Sequence, residues 1–97
     1  MKRVLVISDS LITFNIVEKM LQGQYEVSLV QEYNKEKVGQ NDIILIEDYL
    51  FNNNMLPSDK KFVVMFTNTS DGVSYVIQNG GTYLIKPFLK ERLIERL

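Results

Sequence analysis

The sequence predicts an α/β fold, a doubly wound sheet of five parallel strands with helices between them. Two observations predict it. Five short apolar stretches recur along the 97 residues, at Arg3–Ile7, Glu26–Val30, Ile43–Ile46, Phe62–Phe66 and Tyr83–Ile85. The first, third and fourth are continuous runs rich in Val and Ile, the pattern of central strands buried on both faces. The segments between them are polar or helically periodic. The order therefore reads β-α-β-α-β-x-β-α-β-α, which right-handed crossovers wind into one sheet. A chain of this length holds one domain, residues 1–97, with a modest core.

The first connection carries the clearest helix. Ser10 is placed to cap it, and Leu11, Ile12, Phe14, Ile16, Val17, Met20 and Leu21 form a broad apolar stripe before Gly23 stops it. Glu26-Val27-Ser28-Leu29-Val30 partly alternates, as an edge strand does. The second connection has room for a short helix around Tyr33–Val38. The third, the fourteen residues Asp48 to Lys61, is barely long enough for a crossover helix. Its Asn52-Asn53-Asn54 run and Pro57 favour turns instead. A loop is expected there, with one helical turn at Tyr49–Asn52 and with Leu50, Phe51, Met55 and Leu56 folding back over a thinly covered flank of the sheet. The fourth connection predicts a helix from Asp71 to Gln78, ended by Asn79-Gly80-Gly81. The last helix starts near Leu89 and sets Leu89, Leu93 and Leu97 on one stripe. It reaches the final residue with no stop signal, which leaves room for a longer natural chain.

Composition excludes several chemistries. The chain has no cysteine and no histidine, which removes disulfides, thiolate catalysis, Cys/His zinc sites and any Ser–His arrangement. Eleven basic residues against twelve acidic ones leave a formal net charge of -1, with no electrostatic argument for nucleic acid or a membrane surface. Met1-Lys2-Arg3 followed by Val4-Leu5-Val6-Ile7 has the look of a signal peptide. Its apolar run ends after four residues at Ser8-Asp9, too short for that or for a membrane span. A cytoplasmic location is the expectation.

Four of the strand ends carry polar groups: Ser8-Asp9 after the first, Glu47 after the third, Thr67 after the fourth and Lys86-Pro87-Phe88 after the fifth. In this order they resemble the receiver (CheY-like) domain of two-component response regulators, over nearly the whole chain. The resemblance implies a flavodoxin-like sheet of order 2-1-3-4-5, with the receiver's third helix missing or reduced to a loop. It also implies a site beyond the carboxyl ends of the strands, where strand order reverses. There, receivers hold Mg²⁺ with two acids after the first strand and an Asp after the third. That Asp accepts a phosphoryl group from a kinase histidine. A Thr or Ser and a Lys hold the phosphoryl oxygens, and an aromatic residue on the last strand reports the change.

Residue by residue the match is incomplete. Thr67, Lys86 and Pro87 fit, Tyr83 fits the aromatic switch, and many receivers make the Lys-Pro peptide cis. Ser8 stands where the first acid belongs, which removes one anionic metal ligand, and Asp9 keeps the second, leaving Asp9 and Glu47 as the obvious carboxylates. Glu47 occupies the acceptor place, its carboxylate about 1.5 Å further out than that of Asp. A misplacement of ~1 Å in a reacting group costs on the order of 10²-fold in rate. Glu47 is then expected to act as a fixed anion reaching toward Thr67 and Lys86, a partial imitation of the phosphorylated state. Asp48 becomes the alternative acceptor if the third strand is shifted by one residue, although such a slip turns its side chain to the other face.

Plainer readings stand beside these. Asp9 and Ser10 are also natural caps for the first helix. Glu47 and Lys86 also make an ordinary ion pair, and Tyr83 a half-buried strand aromatic. Lys90, Glu91, Arg92, Glu95 and Arg96 read as a solvated helix face.

The expectation is a degenerate receiver, or pseudo-receiver, that acts through protein contacts and is not an enzyme. The alternative is a phosphorylatable, Mg²⁺-dependent receiver using Asp9 with Glu47 or Asp48. Cofactors are none, with Mg²⁺ at Asp9 the weak candidate. The partners implied are a histidine kinase or a downstream signalling protein. A second copy is also implied, bound through the face made by the last strand and the helices on either side of it in sequence. A flavin or nucleotide enzyme of related fold lacks support, because Ser8-Asp9-Ser10-Leu11 stands where a Gly-rich loop is needed.

Overall fold

The computed structural model describes residues 1–52, 59–67 and 72–97. Five strands, β1 (Lys2–Ile7), β2 (Tyr25–Val30), β3 (Ile43–Glu47), β4 (Lys61–Phe66) and β5 (Thr82–Ile85), form one sheet in the order β2-β1-β3-β4-β5. All four pairings are parallel. Helices α1 (Leu11–Leu21), α2 (Lys35–Gly39), α3 (Gly72–Gln78) and α4 (Lys90–Arg96) lie between and after the strands. Between β3 and β4 the described residues hold a single 3₁₀ turn at Asp48–Leu50.

The Val/Ile runs sit where their pattern demands. Every residue of β3 is buried, as are Val4 to Ile7 of β1 and Phe62 to Phe66 of β4. Alternate residues feed two cores. Val4, Val6, Ile43, Leu45, Val63, Met65 and Leu84 meet Val17 and Leu21 of α1 and Leu93 of α4. Leu5, Ile7, Ile44, Ile46, Val64 and Phe66 meet Val38 of α2 and Val76 of α3 on the other face. Edge strand β2 shows the half-exposed alternation read from its sequence.

The second face is covered by shorter pieces. Leu50 and Phe51 pack against it, and Phe51 stacks on Phe62 with ring centroids 5.5 Å apart. Met55 and Leu56, expected to join them, lie outside the described residues, as does the expected helix start at Asp71. Gly80 takes φ 86°, the left-handed conformation that ends a helix, in keeping with the Asn79-Gly80-Gly81 stop. Gly81 beside it leaves room for Phe62, whose ring a Cβ would meet at 2.3 Å.

Four local expectations need correction. Helix α2 runs over Lys35–Gly39 rather than Tyr33–Val38, because the Asn34 side chain accepts from Lys37 N at 3.0 Å and fixes the start there. The turn after β3 is Asp48–Leu50 rather than Tyr49–Asn52, and Asp48 accepts from Tyr49 N at 3.0 Å. The stripe on α1 is narrower than seven residues: Val17 and Leu21 are buried and Phe14 and Met20 pack beside them, whereas Leu11, Ile12 and Ile16 face outward. Leu89 precedes α4 and is 70% exposed, so only Leu93 and Leu97 of its stripe reach the core.

Candidate functional site

Residues at the carboxyl ends of β1, β3 and β5 converge on one cluster. The register pairs Ile7 with Ile46, so the residues that follow, Ser8 and Glu47, emerge side by side. Ser8 N still bonds back to Val30 O at 3.0 Å, which holds this end of β1 in the sheet. Lys86 N likewise donates to Phe66 O at 2.8 Å, so the lysine leaves β5 from a fixed point. The Lys86–Pro87 peptide is cis.

Glu47 is the centre. Its side chain is 1% exposed, and each carboxylate oxygen has its own donor. Ser8 Oγ donates to Oε2 at 2.7 Å, and Lys86 Nζ to Oε1 at 2.5 Å. A buried carboxylate needs a charged partner and a donor for each oxygen, and Glu47 has both. The lysine side chain is 26% exposed, so the pair is shielded on the acid's side and open on the cation's. Thr13 in the first turn of α1 adds a longer contact, its Oγ1 3.4 Å from Lys86 Nζ. Ser8 also faces the helix: its Oγ accepts from Ser10 N at 3.0 Å.

Asp9 behaves differently. It is exposed, and Ser10 caps α1 without it, its Oγ accepting from Thr13 N at 3.2 Å. The Asp9 carboxylate instead accepts a hydrogen bond from the hydroxyl of Tyr49. That bond, burial, and the charges of Glu47, Asp9 and Asp48 together push the phenol's ionisation well above its ordinary range, the bond contributing most. Tyr49 therefore remains a donor at any neutral pH.

The other candidates are spread around this cluster. Asp48 spends one carboxylate oxygen on its own turn, which leaves Glu47 as the acid between Ser8 and Lys86. Thr67 is exposed on the rim rather than bonded to Glu47. It lines a cleft of about 440 Å³ with Thr13, Ile16, Lys86, Pro87 and Phe88. Tyr83 is half-buried on β5, with its ring packed on the second core and under the guanidinium of Arg96, 5.7 Å from the centroid. Arg96 Nε also donates to Tyr83 O at 2.9 Å, covering a carbonyl that this edge strand leaves open.

Tyr49 and Thr13 are the members that the strand-end pattern misses. Glu47-Asp48-Tyr49 does hold a signal: two residues past the end of a central strand is still on the rim of the same crevice.

The donor set does not fit Mg²⁺. That ion takes oxygen ligands at close to octahedral geometry, and here one carboxylate is neutralised by an ammonium and the other is bonded to a phenol. Among the described residues no group of three or more Asp, Glu, His or Cys is placed to hold a metal. None of the helices there is long and apolar enough to cross a membrane.

No protein-family model and no curated protein matches the sequence. Solved structures do match the fold. A response regulator from Thermotoga maritima superposes with a TM-score of 0.81 at 22% identity, covering 99% of this chain and 93% of that one. The ChxR receiver domain from Chlamydia trachomatis gives 0.75 at 22% identity, over 98% and 92% of the two chains. The chemotaxis protein CheY4 of Vibrio cholerae gives 0.70 at 21% identity, over 98% and 94%. With its five parallel strands in the order 2-1-3-4-5 and its polar strand ends gathered at one edge, the chain has the fold of a response regulator receiver domain.

Proposed function

We propose that this chain is a receiver-like module of two-component signalling that works through protein contacts, with little or no phosphotransfer of its own and no enzymatic activity. One observation carries the reading: both oxygens of Glu47 are engaged, by Ser8 and by Lys86, in a buried setting. Attack on phosphorus needs a carboxylate oxygen free to approach in line with the leaving group, and here one oxygen is held on the ammonium and the other on a buried hydroxyl. Lys86 is also the cation that would have to stabilise the incoming charge, and it is already spent on the acid itself. The extra methylene of Glu lets the carboxylate reach the ammonium directly. The ion pair then stands in for a phosphoryl–lysine contact, with one negative charge in place of about two.

Partners follow from the same reading. A histidine kinase or a downstream signalling protein is the expected class, and the face made by α3, β5 and α4 is the candidate contact surface, also for a second copy. Ile77 and Leu89 are exposed there. A net charge of -1 offers no support for nucleic acid or membrane as the target.

The test is incubation with acetyl phosphate and Mg²⁺, or beryllofluoride and Mg²⁺, followed by intact mass and by the amide resonances of Thr67 and Tyr83. No mass gain and no saturable shift are expected. A stable gain of one phosphoryl group, or saturable shifts at millimolar Mg²⁺, would favour the second reading, a Mg²⁺-dependent receiver using Asp9 with Glu47 or Asp48.

A further inference from the structure

The acid that the receiver resemblance assigns to a divalent cation, Asp9, already has an internal partner. That partner comes from a residue two positions past Glu47, and the contact spans the crevice between the ends of β1 and β3. We infer that Tyr49 is a gating residue whose phenol holds Asp9 against divalent cations and so closes the crevice to metal. The inference rests on the reading of the chain as a module without phosphotransfer and deepens it, because it names the group that keeps the cation out.

The argument is one of competition. A divalent cation binds a carboxylate by displacing whatever donates to the oxygens it needs. At Asp9 that donor is Tyr49. Asp48 has one oxygen on Tyr49 N, and the other neighbours give the cation little in return for displacing the phenol. Ser8 offers a hydroxyl whose proton goes to Glu47 and whose lone pair goes to Ser10 N. Glu47 lies against the Lys86 ammonium, which repels a second cation. Tyr49 is 58% exposed, so the lock is held by the hydrogen bond more than by burial. This contrasts with Glu47, whose partners are held by burial.

Mn²⁺ serves as the probe, through paramagnetic broadening of the backbone amide signals from Ser8 to Ser10 in the full chain. Tyr49→Phe removes the hydroxyl and keeps the ring. Its apparent Kd for Mn²⁺ is expected to fall roughly 10-fold below that of the wild type, the worth of about one hydrogen bond. Asp9→Asn in the Tyr49→Phe background should abolish the gain, and Tyr75→Phe, at another exposed tyrosine, should match the wild type. Equal affinity in Tyr49→Phe and wild type would overturn the inference, including the case in which neither binds. A gain that survives Asp9→Asn, or that Tyr75→Phe reproduces, would overturn it as well. Phosphorylation of the wild-type chain refutes the proposed function instead, and the ratio between Tyr49→Phe and wild type is read independently of that result.

Discussion

The two carboxylates at the mouth of the sheet are neighbours with opposite circumstances. Glu47 is buried and bonded to Ser8 and to a lysine that comes from the far end of the chain. Asp9 is exposed and bonded to one phenol on the adjacent turn. The difference teaches how one crevice can divide its labour. The inner acid is part of the architecture, since losing any partner strands a charge in a low-dielectric place. The outer acid is held by a contact that water can replace.

Breaking the inner pair should have the largest effect. Lys86→Met leaves Glu47 buried without its cation, and removing one member of a buried pair costs on the order of 3–5 kcal/mol. The partial exposure of Lys86 puts the expected loss near the lower end, about 3 kcal/mol, read as a lower urea midpoint at unchanged slope. The double variant Lys86→Met with Glu47→Leu should recover part of that loss, because apolar groups replace the stranded charge. A double variant no more stable than Lys86→Met alone would contradict the division between inner and outer acids.

Ser8→Ala is a gentler probe of the same cluster. It leaves one oxygen of Glu47 and the amide of Ser10 without their partner, at a cost of about 1–3 kcal/mol in the same unfolding experiment. The Ser10 cap of α1 should survive, so helical circular dichroism at low urea is expected to be unchanged.

The outer contact is best read in alkali, where its effect on stability is smallest and its spectral signature clearest. Tyr49 has its folded ionisation raised, chiefly by the bond to Asp9. A raised value means that the contribution to stability is fully present below the pH where a free tyrosine ionises, about 10, and is lost as pH climbs through the higher folded value. Tyrosinate absorbance should therefore show one of the five tyrosines titrating late. Asp9→Asn should bring its titration down, and Tyr49→Phe should remove it. A late tyrosine unaffected by Asp9→Asn would separate the phenol from the acid.

The strands were legible in the sequence because a parallel strand buried on both faces has no choice but an unbroken apolar run, and Ile43–Ile46 and Phe62–Phe66 are such runs. Helix faces were less so. Leu11, Ile12 and Ile16 satisfy apolar spacing as well as Val17 and Leu21 do, and only the packing geometry decides which arc meets the sheet. The start of α2 was misplaced because Asn34, whose side chain caps it, carries no weight in the Tyr33–Val38 reading. At the site, Ser8, Glu47 and Lys86 could be read from their places at strand ends, because the sheet order fixes which ends are adjacent. Tyr49 was legible only as a residue near the rim, since the direction of a side chain in a 3₁₀ turn is set by tertiary packing and not by strand periodicity. The separation of Thr67 from Glu47 was not legible, because it depends on how far a glutamate folds toward its lysine.

The hydroxyl of Ser8 joins two parts of the molecule at a buried point. Ser8 Oγ grips the third strand's acid with its proton and the backbone ahead of the first helix with its lone pair. Any rearrangement that draws Glu47 away from that oxygen pulls on the approach to Leu11 and Ile12, two bare aliphatic side chains on the outside of the protein. The crevice is thus tied through a buried oxygen to a greasy outer surface, so the charge state inside bears on the start of the first helix.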